Sequence, residues 1–165
     1  MSNSFVAIIM GSDSDLPLLE NTMAVLKEFD IKYEARVASA HRTPDVVSEY
    51  VTDAEKRGCA VFICAAGLAA HLAGAVAART TRPVIGIPCK STHLDGMDAL
   101  LSTVQMPPGI PVATVGVNAS LNAAILAVEM LSLADVELAE RLAAYKSNLC
   151  KKIEKANEEL KELKY

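Results

Sequence analysis

Short apolar runs alternate with helical patterns along most of the chain, and this alternation limits the fold more than any other feature. Apolar runs at residues 5–10, 31–37, 60–65, 84–87 and 112–117 read as strands. The stretches after them, 16–29, 44–57, 67–80, 95–104 and 118–131, read as helices. Pro17 and Pro44 fall in first helical turns, where a missing N–H costs nothing. Leu16, Leu19, Met23 and Leu26 form one apolar face of the first helix. Thr43 is placed to cap the second and Gly58 to stop it. A strand–helix unit repeated five times gives a parallel sheet with helices on both faces. The expected fold is α/β: one doubly wound, flavodoxin-like, five-stranded parallel sheet in a three-layer α/β/α sandwich, with a long C-terminal helix added.

That last helix is anomalous. From residue 135 to 163, Leu138, Leu142, Tyr145, Leu149, Ile153, Ala156, Leu160 and Leu163 recur at spacings of three and four. Such a helix is about 44 Å long, against roughly 40 Å for a whole domain of this size. One face therefore cannot pack entirely on its own domain. Long amphipathic helices need a packing surface, so the expectation is a neighbouring subunit. The 165 residues make one α/β domain, 1–165, with a core at 1–133 and a helix at 134–165 reaching that neighbour.

Composition narrows the function classes. The chain is 52% hydrophobic but only 4% aromatic, with no Trp, so its core is built from Ala, Val, Leu and Ile on closely approaching elements. A net charge of −4 gives no support for nucleic-acid binding. No apolar stretch is long enough to span a membrane. The opening Met1-Ser2-Asn3-Ser4 lacks the features of a signal peptide. Cys59, Cys64, Cys89 and Cys150 form no Cys-x-x-Cys pair and read as buried, reduced thiols of a cytoplasmic protein.

Three stretches at strand ends could carry chemistry. Ser39-Ala40-His41-Arg42-Thr43-Pro44 places a hydroxyl, an imidazole and a guanidinium at one strand-to-helix turn. Such turns form the ligand crevice of a parallel sheet. Arg42 suits a phosphate, and His41 can move a proton near neutral pH. The plainer reading is a capping or core histidine beside a surface ion pair. Gly11-Ser12-Asp13-Ser14-Asp15 precedes the first helix. There Ser12 and Ser14 could meet an anion and Asp15 a ribose, or Ser14 or Asp13 could simply cap the helix. Two carboxylates beside a phosphate would repel it, so at least one should point elsewhere. Strands one and two are neighbours in either common doubly wound order. Ser12, Asp15, Ser39 and Arg42 can then converge on one phosphorylated sugar. The third stretch, Ala65-Ala66-Gly67-Leu68-Ala69-Ala70-His71-Leu72-Ala73-Gly74, would admit a flat or very small ligand, or would merely let a helix pack closely on the sheet. His41, His71 and His93 match no metal-ligand spacing. No Walker, GxGxxG or GxSxG motif is present.

Together, Gly11-Ser12-Asp13-Ser14-Asp15, Ser39-Ala40-His41-Arg42-Thr43-Pro44, Ala66-Gly67-Leu68-Ala69-Ala70-His71-Leu72 and Ser102-Thr103-Val104-Gln105-Met106-Pro107 resemble the 5-(carboxyamino)imidazole ribonucleotide mutases of purine biosynthesis. The resemblance spans about residues 5 to 133. Ala73 departs from it, since the family usually has Pro there. A related branch that carboxylates aminoimidazole ribonucleotide directly with CO₂ usually carries Ala-Gly-Arg-Ser-Asn at the third motif. The resemblance implies that His41 is the general acid and base. It implies that Ser12, Ser39 and Arg42 hold phosphate and that Asp15 holds ribose. Gly67, Ala70, His71 and Leu72 would confine CO₂ released from the phosphoribosyl imidazole substrate. It also implies no metal or other cofactor, and a homo-octamer. Direct carboxylation, or a non-catalytic flavodoxin-like binding module, are the rival readings.

Overall fold

A computed structural model describes residues 4–162. The helix end expected at Leu163 and the start at Met1–Asn3 lie outside them. The chain divides into two compact units, Met1–Ala127 and Val128–Tyr165.

The first unit holds strands β1 (Phe5–Met10), β2 (Tyr33–Val37), β3 (Cys59–Gly67), β4 (Val84–Cys89) and β5 (Ala113–Thr114). They form one sheet in the order β2-β1-β3-β4-β5, and every pairing is parallel. This is the expected doubly wound order. Helices α1 (Leu16–Glu28), α2 (Pro44–Lys56), α3 (Leu72–Ala77) and α4 (Met97–Val104) connect the strands, and α5 (Ser120–Ser132) follows β5 and crosses the boundary between the units. All six residues of β1 are buried, as continuous apolar strands covered on both faces must be. Phe5, Ala7, Ile9, Phe62 and Cys64 face one cluster with Val47, Tyr50 and Val51 of α2 and Leu72 and Val76 of α3. By the two-residue period of a strand, Val6, Ile8 and Ile63 point to the opposite layer. There Thr22 Oγ1 of α1 donates to the Ser120 carbonyl at 2.9 Å.

Several local readings are corrected. The buried face of α1 is Leu19, Thr22, Val25 and Leu26, while Leu16 is exposed, because the helix starts at the rim of the sheet. The small-residue helix is only Leu72–Ala77. Gly67 still pairs with Cys89 on the sheet, and Leu68 is left-handed (φ 57°), which delays helix entry. Strand β5 is two residues long. Beyond it, Val115 N–H reaches the Gly86 carbonyl and Asn118 N–H the Pro88 carbonyl. Three residues thus advance against two on β4, and regular pairing is lost. Cys59, Cys64 and Cys89 are buried but Cys150 is exposed.

In the second unit α6 covers Val136–Glu162. Asp135 caps it, its Oδ1 accepting from Leu138 N–H at 3.0 Å. Lys146 Nζ pairs with Glu129 Oε1 at 2.5 Å. Leu138 and Leu142 are buried, whereas Leu149, Ile153 and Leu160 are 51%, 64% and 60% exposed. The outer half of its apolar face is thus uncovered within the chain. Among the described residues, no helix is long and apolar enough to cross a membrane.

Ile63 is fully buried at the sheet centre. Ile63→Ala should destabilise the fold by about 3–4 kcal/mol, read as a lower urea midpoint at unchanged slope.

Candidate active site

β1 and β2 end level with each other and with Ala65, two residues before the end of β3. Met10 pairs with Val37 and with Ala65, Ala38 N–H donates to the Met10 carbonyl at 2.9 Å, and Gly11 N–H donates to the Ala65 carbonyl at 3.0 Å. The three sequence stretches singled out above therefore leave the sheet side by side. They enclose a cleft of about 730 Å³, within the range of small-molecule sites.

Ser12, Asp15, Ser39, His41, Arg42, Gly67, His71 and Leu72 all line this cleft. Ala70 does not line it. Ala70 is buried, and its carbonyl accepts from Thr103 Oγ1 at 3.1 Å. Arg42 joins two of the turns, its Nη2 donating to the Gly11 carbonyl at 3.0 Å. One such bond leaves most of the five guanidinium N–H donors for an anion.

The turn carrying His41 is rigid for a local reason. Thr43 was expected to cap α2, but its side chain makes no such bond. Instead Thr43 Oγ1 accepts from Ser39 N–H at 2.9 Å and donates to the Ser39 carbonyl at 3.1 Å. Ser39 Oγ accepts from Arg42 N–H at 3.2 Å. Neither Ser14 nor Asp13 caps α1, whose N-cap Asp15 makes no side-chain cap bond; Ser12 caps the short 3-10 turn Asp13–Asp15 before it. Ser12 Oγ accepts from Ser14 N–H at 3.3 Å and donates to Asp13 Oδ1 at 3.1 Å. Asp13 is held there away from the cleft lining, and Asp15 alone brings a carboxylate to it. This separates the two carboxylates as an anion site requires.

Lys90 and Ser91 also line the cleft. Their loop was placed in sequence without a role, although its position after a central strand is the signal that marks such loops. Lys90 N–H donates to Asn118 Oδ1 at 2.8 Å, and its Nζ pairs with Asp95 Oδ1 at 3.0 Å. Ala73, where Pro was expected from the resemblance, sits in the first turn of α3. The backbone N–H has no helical partner there, so both residues fit.

Desolvation raises the pKa of Asp15 above its ordinary 3.8, outweighing a backbone hydrogen bond at Ser12. Burial, helped by the Asp15 charge, pushes the Cys89 thiol up to about 12. A thiol so protonated is a poor nucleophile. Among the described residues no group of three or more His, Cys, Asp or Glu could hold a metal ion.

A doubly wound parallel sheet with hydroxyls, a guanidinium and an imidazole lining a cleft at its strand ends is of the flavodoxin-like class. The chain belongs to the AIR carboxylase family, whose model matches residues 5–152. It is 53% identical over 158 residues to the N5-carboxyaminoimidazole ribonucleotide mutase of Methanocaldococcus jannaschii, covering 96% of this chain and 98% of that one. It is 55% identical over 144 residues to the mutase of the same name from Pyrococcus abyssi, covering 87% and 83%. The crystal structure of Treponema denticola PurE superposes with a TM-score of 0.88 at 34% identity, covering 96% of this chain and 99% of that one.

The raised pKa of Asp15 means that its charged form costs the free fold some stability. Asp15→Asn should therefore raise the melting temperature at neutral pH. The gain should fade as pH falls through the raised folded value toward 3.8. The same change should weaken ligand binding.

Proposed function

We propose that the chain converts 5-carboxyamino-1-(5-phosphoribosyl)imidazole to 5-amino-1-(5-phosphoribosyl)imidazole-4-carboxylate in purine biosynthesis. The observation that carries this reading is the Arg42–Gly11 bridge. It links the turn after β1 to the His41 turn beside one cleft, so a phosphate anchored there sets the heterocycle beside His41. Ser12, Ser39 and Arg42 hold the phosphate, and Asp15 accepts from the ribose hydroxyls.

The chemistry then needs one proton shuttle. The bond between the exocyclic nitrogen and its carboxylate breaks, its electron pair returning to nitrogen, which takes a proton from His41. Carbon dioxide is freed inside the cleft. Carbon four of the ring attacks it, a carbon–carbon bond forms, and the proton leaving carbon four returns to His41. The two transfers are opposite in sense, so a single imidazole serves both. Gly67, His71 and Leu72 wall the reacting end and keep the freed molecule at high effective concentration. Ala70 contributes through the buried support beneath them. No electrons are gained or lost overall, so the conversion asks for no redox cofactor.

His41→Asn should abolish turnover while sparing binding of aminoimidazole ribonucleotide. Turnover is read from ring absorbance and binding by calorimetry; near-normal turnover refutes the assignment. Run with each substrate, with and without bicarbonate, the same assay tests direct CO₂-dependent carboxylation, a second reading favoured by the family's name.

The enzyme acts in the cytoplasm as a homo-octamer in which residues 134–165 pack on a neighbouring subunit. Two uncovered apolar faces support this. One is the outer half of α6, and the other is Met97, Leu101 and Val104 of α4, each more than 40% exposed at helical spacing. Truncation after Ser132 should reduce the assembly to smaller species by light scattering; an intact octamer would contradict it.

A further inference from the structure

His71 is exposed and lines the reacting cleft, yet its ring is held from behind by two features. The first is an acceptor. His71 Nδ1 lies 3.0 Å from the Ser102 carbonyl, and a carbonyl can only accept, so Nδ1 carries the proton. Ser102 lies in the last turn of α4, where carbonyls have no partner within their own helix. His71 therefore satisfies a group that the helix leaves free, at the end where its dipole is negative. The second feature is a space. A Cβ on Gly74 would lie 2.4 Å from Cε1, 2.5 Å from Nε2 and 3.0 Å from Nδ1 of His71. The imidazole lies where a side chain at position 74 would be.

The end of α4 is fixed in turn. Thr103 Oγ1 lies 3.1 Å from the Ala70 carbonyl and 2.8 Å from that of Ala99. A Cβ on Gly86 would come within 2.4 Å of Thr103 Cγ2. The bare strand at Gly86 thus lets α4 settle against the sheet and bring the Ser102 carbonyl to the ring.

We propose that Gly74, with the end of α4 seated by Thr103 on Gly86, positions His71 as a fixed Nδ1–H tautomer. Its Nε2 is then a hydrogen-bond acceptor toward the exocyclic amine of the bound imidazole. This rests on the mutase reading for the ligand, but not for the tautomer. With Nδ1–H committed to Ser102, a neutral ring offers only a lone pair at Nε2. No described protein group takes that atom by a hydrogen bond. An amine hydrogen satisfies it, whereas a carboxylate oxygen does not.

The test begins with nitrogen-15 spectra of the histidine-labelled full chain, with His71→Ala used for assignment. The free protein should show the Nδ1–H tautomer at His71; an Nε2–H tautomer overturns the proposal. Gly74→Ala displaces the far end of a side chain and should fold. It should lose the fixed tautomer and about 10- to 100-fold in kcat, with little change in KM. In a His71→Ala background Gly74→Ala should cost nothing further, because it acts only through the ring. Additive losses overturn it. Thr103→Ser, which keeps the hydroxyl, should retain the tautomer, and Thr103→Val should weaken it; equal behaviour of the two removes Thr103 from the proposal. Adding aminoimidazole ribonucleotide should leave the tautomer unchanged, and conversion to the doubly protonated ring overturns the acceptor role. Failure of that ribonucleotide to bind would count against the mutase reading while leaving the free-state tautomer to stand or fall by itself.

Discussion

The registry that sets the ends of β1 and β2 against Ala65 of β3 is the constraint on which the candidate site depends. Two backbone bonds, Ala38 N–H to the Met10 carbonyl and Gly11 N–H to the Ala65 carbonyl, tie the ends of β1 and β2 to each other and to β3. A one-residue slip in a parallel sheet turns every side chain to the other face, and β1 is buried throughout. The registry is therefore fixed by the core, not by the site. The turns inherit it. Ser12, His41 and Leu68 each follow a strand whose end is already placed, and Arg42 adds one cross-link between two turns that were already neighbours.

Much of this was legible in the residues. Continuous apolar runs bounded by Gly, Ser and Pro mark the buried strands, and their alternation with helical periods leaves few topologies. The grouping of Ser39, His41 and Arg42 was legible because all three fall in one strand-to-helix turn, and all three line the cleft. Local exceptions were not legible. Leu68 takes a left-handed φ of 57°, an uncommon conformation for a residue with a branched side chain, and no spacing rule predicts it. The early loss of pairing after Thr114 depends on how β4 and the following loop advance against each other, which only the assembled sheet fixes. Thr43 has the composition and place of a cap, yet its hydroxyl closes the Ser39 turn. Cap and turn use the same donor and acceptor pattern, so the sequence could not choose between them.

The site also departs from what stability alone would select. Asp15 is partly desolvated, which raises its pKa and makes its charged form costly, while the neighbouring Asp13 is occupied by Ser12. Two acidic residues two positions apart thus have opposite environments. One is retained for the local turn and one is turned to the cleft, which is how a chain can keep a carboxylate beside an anion site without leaving both to repel the ligand. The Cys89 thiol on the same wall is kept protonated by burial.

Helix α4 links the wall of that cleft to the outside of the unit. Its buried side carries Ala99 and Thr103 against bare Gly86, and its exposed side carries Met97, Leu101 and Val104. A solvated face at this helix would be polar. Eight residues long, α4 is too short to be stable alone, so its position is set by what it packs against. The Ser102 carbonyl at its end touches His71. Any partner that covers the exposed side would therefore press on the same element that fixes the imidazole, and assembly and ring position would be coupled through one short helix.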